Sequence, residues 1–139
     1  MKQLYTFAVL VLFVSGCSKD FLQSYEDRII GTWRIADVNR SGFGGRDHNL
    51  PFTSGNITFH ENGTLTYVNS SNVTYKGSWE LDKRVRDDES FRILKITAID
   101  FANQEVLSEY YDDMNFVGTD HFKTTLTSGF YTYTTHFRR

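Results

Sequence analysis

One cysteine, Cys17, and one proline, Pro51, occur in a chain of 139 residues. A single thiol cannot form a disulfide within the chain, so stability has to come from packing and strand pairing even in an oxidising compartment. The N-terminal apolar run, residues 4–14, supplies 11 residues before Ser15, Gly16 and the charged pair Lys19-Asp20. A membrane-spanning helix needs about 20, so this run is too short to span. Excess positive charge is missing as well. With Lys2 removed from the 15 basic residues, 14 remain against 17 acidic ones, a net charge of −3 with histidine neutral. That balance excludes a nucleic-acid surface and offers no polybasic membrane patch along the sequence.

The common catalytic signatures are missing too. There is no Gly-x-Ser-x-Gly elbow and no Gly-Lys-Ser/Thr opening a helix after the glycine-rich segment 39–46. His48, His60, His121 and His136 have none of the close spacings that put two histidines on one metal, so no metal or other cofactor is expected. Glu109, Asp112 and Asp113 are an acid/base pair in principle, but a solvated strand end explains them as well, and no enzyme is expected.

Near the N-terminus, Lys2, the apolar run and the small pair Ser15-Gly16 have the layout of a secretory signal, residues 1–16, ending before Cys17. Leu12-Phe13-Val14-Ser15-Gly16-Cys17 resembles a bacterial lipobox. The resemblance implies lipidation of Cys17, which becomes the first residue of the mature chain, and hence a membrane partner held through that lipid. Ser18 is not the aspartate that favours inner-membrane retention, which implies the outer membrane. Lys19-Asp20 also resembles the surface-export signal of Bacteroidetes lipoproteins. The mature chain has 123 residues, the 139 of the sequence less the 16 of the leader, which suits one core and one domain. Residues 17–31 are read as tether and short helix, and 32–139 as the folded domain.

Phe21, Leu22, Tyr25, Ile29 and Ile30 recur at near-helical spacing, and Gly31 offers a stop, which predicts a helix over 21–30. From Thr32 the period becomes two. Trp33 and Ile35 mark a first strand that runs into the loop 40–52, a lid or a disordered segment by its length. A three-residue turn at Glu61-Asn62-Gly63 places Phe59 opposite Leu65 and Ile57 opposite Tyr67, all on one face. Val73, Tyr75, Gly77, Trp79 and Leu81 alternate with polar residues, with Gly77 as a bend. Residues 82–90 read as a charged hairpin loop, and Leu94, Ile96 and Ala98 as the inward side of the next strand. Residues 106–111 or their extension through 117, then 122–126 and 131–137, complete a set of eight strands after one helix, the pattern of an all-β antiparallel sandwich or barrel.

Ile30-Gly31-Thr32-Trp33 carries a Gly-x-Trp on the first strand. Together with the lipobox, the stretch 57–64, the stretch 75–81 and the final strand ending in Phe137-Arg138-Arg139, it resembles the small lipocalin-like lipoproteins of Bacteroidetes. The resemblance implies a small antiparallel up-and-down eight-stranded barrel of calycin type, with Trp33 closing its floor and the loop 40–52, carrying Phe43 and Arg46, at its mouth. An eight-stranded barrel is filled by side chains or holds one small ligand. Two readings follow. In one, a small hydrophobic or aromatic ligand sits among Tyr67, Tyr75, Trp79, Tyr131 and Tyr133. In the other, the barrel is solid and meets a protein partner through its surface, with Phe43, Phe52, Phe130 and Tyr111 as candidates for an exposed patch.

Overall fold

The computed structural model describes residues 23–45 and 47–139. Cys17 with its leader, Phe21 and Leu22 of the expected helix, and Arg46 of the loop lie outside them. The helix is α1, Tyr25–Ile29, shorter than its apolar spacing predicts. The Ser24 hydroxyl accepts a hydrogen bond from the Asp27 amide at 3.1 Å, an N-cap that fixes where the helix begins. Ile30 is already extended and Gly31 has φ +118°, so the chain turns directly into a strand.

Nine strands follow: β1 (Gly31–Gly42), β2 (Gly55–Phe59), β3 (Thr64–Val68), β4 (Thr74–Arg86), β5 (Glu89–Asp100), β6 (Glu105–Tyr111), β7 (Asp113–Phe116), β8 (His121–Ser128) and β9 (Tyr131–Arg138). All pairings are antiparallel, in one sheet of order β6-β5-β4-β3-β2-β1-β9-β8-β7. The protein is therefore all-β. The sheet is not closed by a ladder. Its edges, β6 and β7, are nonetheless joined by the single residue Asp112, and β5 also contacts β7. The strand read over 106–111 is β6, whereas its extension through 117 is a separate strand: β6 pairs with β5 and β7 with β8.

The β2–β3 register agrees with the three-residue turn. Phe59 faces Leu65, Ile57 faces Tyr67, and Gly63 has φ +78°. The predicted inward set of β5, Leu94, Ile96 and Ala98, is fully buried. Residues 82–90 are not a loop. The strands run on to a two-residue turn, Asp87-Asp88, with φ of 50° and 65°, because aspartate tolerates the left-handed region that a tight hairpin requires.

Gly77 does more than bend β4. A Cβ built there would lie 1.8 Å from the Thr97 carbonyl oxygen, a backbone atom with no freedom to yield. Gly77→Ala should lower the unfolding free energy by about 3 kcal/mol through overpacking between β4 and β5, measured as a shift of the urea midpoint. An unchanged midpoint would mean that the two strands are not held this close.

The core fills the concave side of the sheet. At the α1 end Trp33 is fully buried, donates from Nε1 to the Ile29 carbonyl at 2.7 Å and meets Phe122 edge-on at 4.7 Å between ring centroids. Phe122 in turn stacks on Phe137 at 4.4 Å. The Arg139 guanidinium covers the outside of Trp33, 4.0 Å from its ring. This end is sealed by aromatic packing.

Candidate functional site

At the other end the loop between β1 and β2 folds over the core. β1 continues to Gly42, paired with Tyr131, so the connection is shorter than the sequence indicates and runs over residues 43–54. Phe52 drops from this loop into the interior at 0% exposure and meets Tyr67 edge-on at 5.1 Å. The Tyr67 hydroxyl donates to the Ser54 carbonyl at 2.8 Å, which ties the end of the loop to β3. Loop position had suggested Phe52 for an exposed patch; its apolar ring instead fills space that β1 and β3 leave open.

Polar contacts hold the rest of the loop. The Tyr133 hydroxyl donates to Asp47 Oδ1 at 3.1 Å and accepts from the His48 amide at 2.8 Å. Asp47 also pairs with Arg40, and the His48 imidazole lies 3.0 Å from Oε2 of the buried Glu109. The Arg40 guanidinium, followed by the Tyr133 hydroxyl, holds the Asp47 carboxyl below the usual carboxylate range. A depressed folded pKa stabilises the loop above the ordinary carboxylate pKa of about 3.9, and that contribution is lost as pH falls through the lower folded value. The His48 amide resonance should therefore move on acidification below about pH 4, and Asp47→Asn should show the shifted position at neutral pH. A His48 amide indifferent to Asp47→Asn would contradict the latch.

The five aromatic residues named for a ligand cup are divided between the two ends of the core. Tyr67 and Tyr75 are neighbours, 5.5 Å apart, and the Tyr75 hydroxyl donates to Glu105 at 2.7 Å; that bond and then burial push its pKa up to about 12. Tyr133 faces the loop. Tyr131 lies under the Arg40 guanidinium at 4.8 Å. Trp79 is at the far end, against Phe59 at 5.6 Å and bonded from Nε1 to the His60 carbonyl at 3.0 Å. Four cavities among the described residues are lined by other side chains. Phe43 is 89% exposed and shares an outer hollow with Phe130, 77% exposed, rather than covering the mouth. Tyr111, the other patch candidate, is buried, and desolvation raises its hydroxyl pKa.

A cavity of about 650 Å³ lies outside the core where the sheet splits at Asp112. Arg84, Val85 and Arg86 of β4, Phe91 and Ile93 of β5, Tyr110 and Asp112–Asp113 at the break, and Thr125, Thr127 and Thr132 line it. Its position follows from strand length. β5 is paired to β6 only as far as Leu94, so the arm beyond diverges from β7. Successive strand residues point to opposite faces, yet Ile93 and Leu94 are 5% and 0% exposed. Leu94 faces the core, and Ile93 is the floor of the outer cleft. Asp112 accepts from the Thr127 amide at 2.6 Å and Asp113 from the Arg92 amide at 3.4 Å, so both carboxylates are held internally. Arg84 and Arg86 form no ion pair among the described residues. The cleft thus joins an apolar floor to the guanidinium groups of Arg84 and Arg86, the carboxylates of Asp112 and Asp113, and three threonines. Sequence reading missed it because Ile93 falls on the outward parity of its strand.

His121 and His136 also come together, Nε2 to Nδ1 at 3.0 Å across β8 and β9, a proximity that their separation in sequence conceals. Among the described residues no three histidine, cysteine, aspartate or glutamate side chains are grouped to hold a metal ion, and no helix is long and apolar enough to cross a membrane. The class defined so far is an all-β domain of one curled antiparallel sheet with a packed interior. No family model matches the chain, and neither a curated protein nor a solved structure does.

Proposed function

We propose that this is a non-enzymatic binding lipoprotein, anchored in the outer membrane through lipid on Cys17, with a lipocalin-like barrel whose interior is core and whose small-ligand site is the outer cleft. The barrel reading takes β6 and β7 as two halves of one staggered strand, which gives the eight strands of a small calycin-type barrel. The observation that carries the ligand reading is the contrast between the mouth and the seam. Phe52 occupies the interior, whereas the cleft at Asp112 has the 300–1,000 Å³ size and the mixed apolar and polar lining usual for small-molecule sites. Phe91, Ile93 and Tyr110 offer an apolar surface, and Arg84 and Arg86 favour an acidic group on the ligand, so the class is an aromatic or aliphatic compound carrying an anion.

The fluorescent aromatic sulfonate 1-anilinonaphthalene-8-sulfonate is a suitable probe. It should bind one site on the native protein, lose that site in Ile93→Asp and Arg84→Gln, and keep it in Tyr67→Phe. Binding that survives both cleft substitutions and disappears with changes at Tyr67 or Tyr133 would return the ligand to the interior.

A further inference from the structure

The folded chain assembles a basic surface that the sequence disperses. Arg34 on β1 and Arg138 on β9 are directly opposite in the ladder, and Arg139 follows at the end of β9. Like charges directly opposite one another on a sheet are destabilising. None of these three, nor Arg28 on α1, forms an ion pair with a carboxylate among the described residues. Their existing partners are neutral. Arg139 donates to the Arg28 carbonyl at 2.7 Å, and Arg28 donates to the Gly118 carbonyl at 2.7 Å while lying 4.0 Å over Phe116. Backbone and aromatic contacts fix these guanidinium groups in place without cancelling their charge.

Thr32, Arg34, Asn56, Arg138 and Arg139 line a cavity of about 300 Å³ with no aspartate or glutamate in its wall. A second hollow of about 330 Å³ adjoins it through Arg139 and includes Arg28; its one acid, Asp27, is engaged by the Ser24 hydroxyl at 3.0 Å. Three guanidinium groups, a hydroxyl and a carboxamide around one space form a donor-rich cradle for a tetrahedral oxyanion. The carboxylates Asp47, Glu109 and Glu105 cluster at the opposite, loop-covered end. The Arg34–Arg138–Arg139 cleft is thus a basic patch at the base of a domain that is acidic overall.

That base is also where the chain leaves for its anchor. Ser24 caps α1 and is seven positions after Cys17, so a fully extended link reaches at most about 25 Å. We infer that the Arg34–Arg138–Arg139 cleft binds the phosphate of an anionic lipid headgroup and seats the α1 end of the domain on the membrane that holds Cys17. The inference rests on the anchored reading for its geometry but not for its chemistry. Each basic residue near an anionic leaflet strengthens association about fivefold.

The test uses the full lipoprotein purified in neutral dodecyl maltoside micelles, with the arginine Nε–H resonances followed by NMR. Short-chain dihexanoyl phosphatidylglycerol, the matching phosphatidylcholine and inorganic phosphate are titrated separately. Saturable shifts of Arg34, Arg138 and Arg139 are expected with phosphatidylglycerol, about fivefold or more weaker with phosphatidylcholine. Arg34→Gln/Arg138→Gln should weaken binding by about 25-fold, with the amide spectrum of the core unchanged. No saturable shift in the native protein overturns the inference whatever the variant does, and inorganic phosphate binding as tightly as the anionic lipid overturns the membrane source. Intact mass of the same sample reports acylation. An unacylated protein that still binds phosphatidylglycerol refutes the anchor and leaves the cleft, whereas an acylated protein that does not bind refutes the cleft alone.

Discussion

Trp33→Ala is expected to lower the unfolding free energy by about 5 kcal/mol, the upper end for removal of a large aromatic side chain from a core. The indole is fully buried and closes the α1 end by three different interactions. Its Nε1 donates to the Ile29 carbonyl at 2.7 Å, its face meets Phe122 at 4.7 Å, and Arg139 lies across its outer side at 4.0 Å. Removing the ring leaves a cavity beneath α1 and a buried carbonyl without its donor, and each adds to the transfer term. Trp33→Phe should lose less, because the ring contact with Phe122 persists while the hydrogen bond to Ile29 does not. Guanidinium unfolding of the three proteins measures the order. A loss below about 2 kcal/mol for Trp33→Ala would mean that this end of the sheet is not sealed by the indole.

Phe52→Ala should cost about 4 kcal/mol and change what the protein binds. Among the described residues of the loop the ring is the one fully buried side chain, seated edge-on against Tyr67. Its loss leaves the latch at Asp47, Tyr133 and His48 in place while opening a space lined by Tyr67 and its neighbours. Large-to-small substitutions leave such cavities because the surroundings relax only in part. The variant should take up a second equivalent of 1-anilinonaphthalene-8-sulfonate, independent of Ile93→Asp. A destabilised variant with the same single site would show that the interior collapses on the vacancy, and the outer cleft would remain the only site for small ligands.

Local patterns were legible in the sequence wherever a single period and a turn residue agreed. Alternation through Ile57, Phe59, Leu65 and Tyr67, with Gly63 at the turn, is compatible with one register only, because a slip of one residue would expose all four side chains. The parity of β4 and the close approach at Gly77 follow from the same rule. The end of β6 at Tyr111 was legible, but the change of partner across Asp112 was not. Either strand partner can satisfy the residues before and after it, and only the curl of the whole sheet assigns β6 to β5 and β7 to β8. Phe52 was misplaced because periodicity describes strands and carries no information about how a loop returns to the core. The outer cleft and the arginine cradle were hidden for a related reason. Ile93, Arg84 and Thr127, or Arg28, Arg34 and Arg138, become neighbours only through pairing across the sheet, so a residue-by-residue charge balance recorded an acidic domain where the fold builds a basic end.

The proposed anchor is the lipid on Cys17, with the arginine cleft seating the domain rather than holding it. Burial of acyl chains contributes about 0.8 kcal/mol per methylene, so two or more chains dominate the attachment. Radiolabelled palmitate incorporation combined with membrane fractionation, native protein against Cys17→Ser, tests this most directly. The native protein should label and sediment with outer membranes, and Cys17→Ser should not label. A Cys17→Ser protein that labels and sediments to the same extent as the native one would contradict the account.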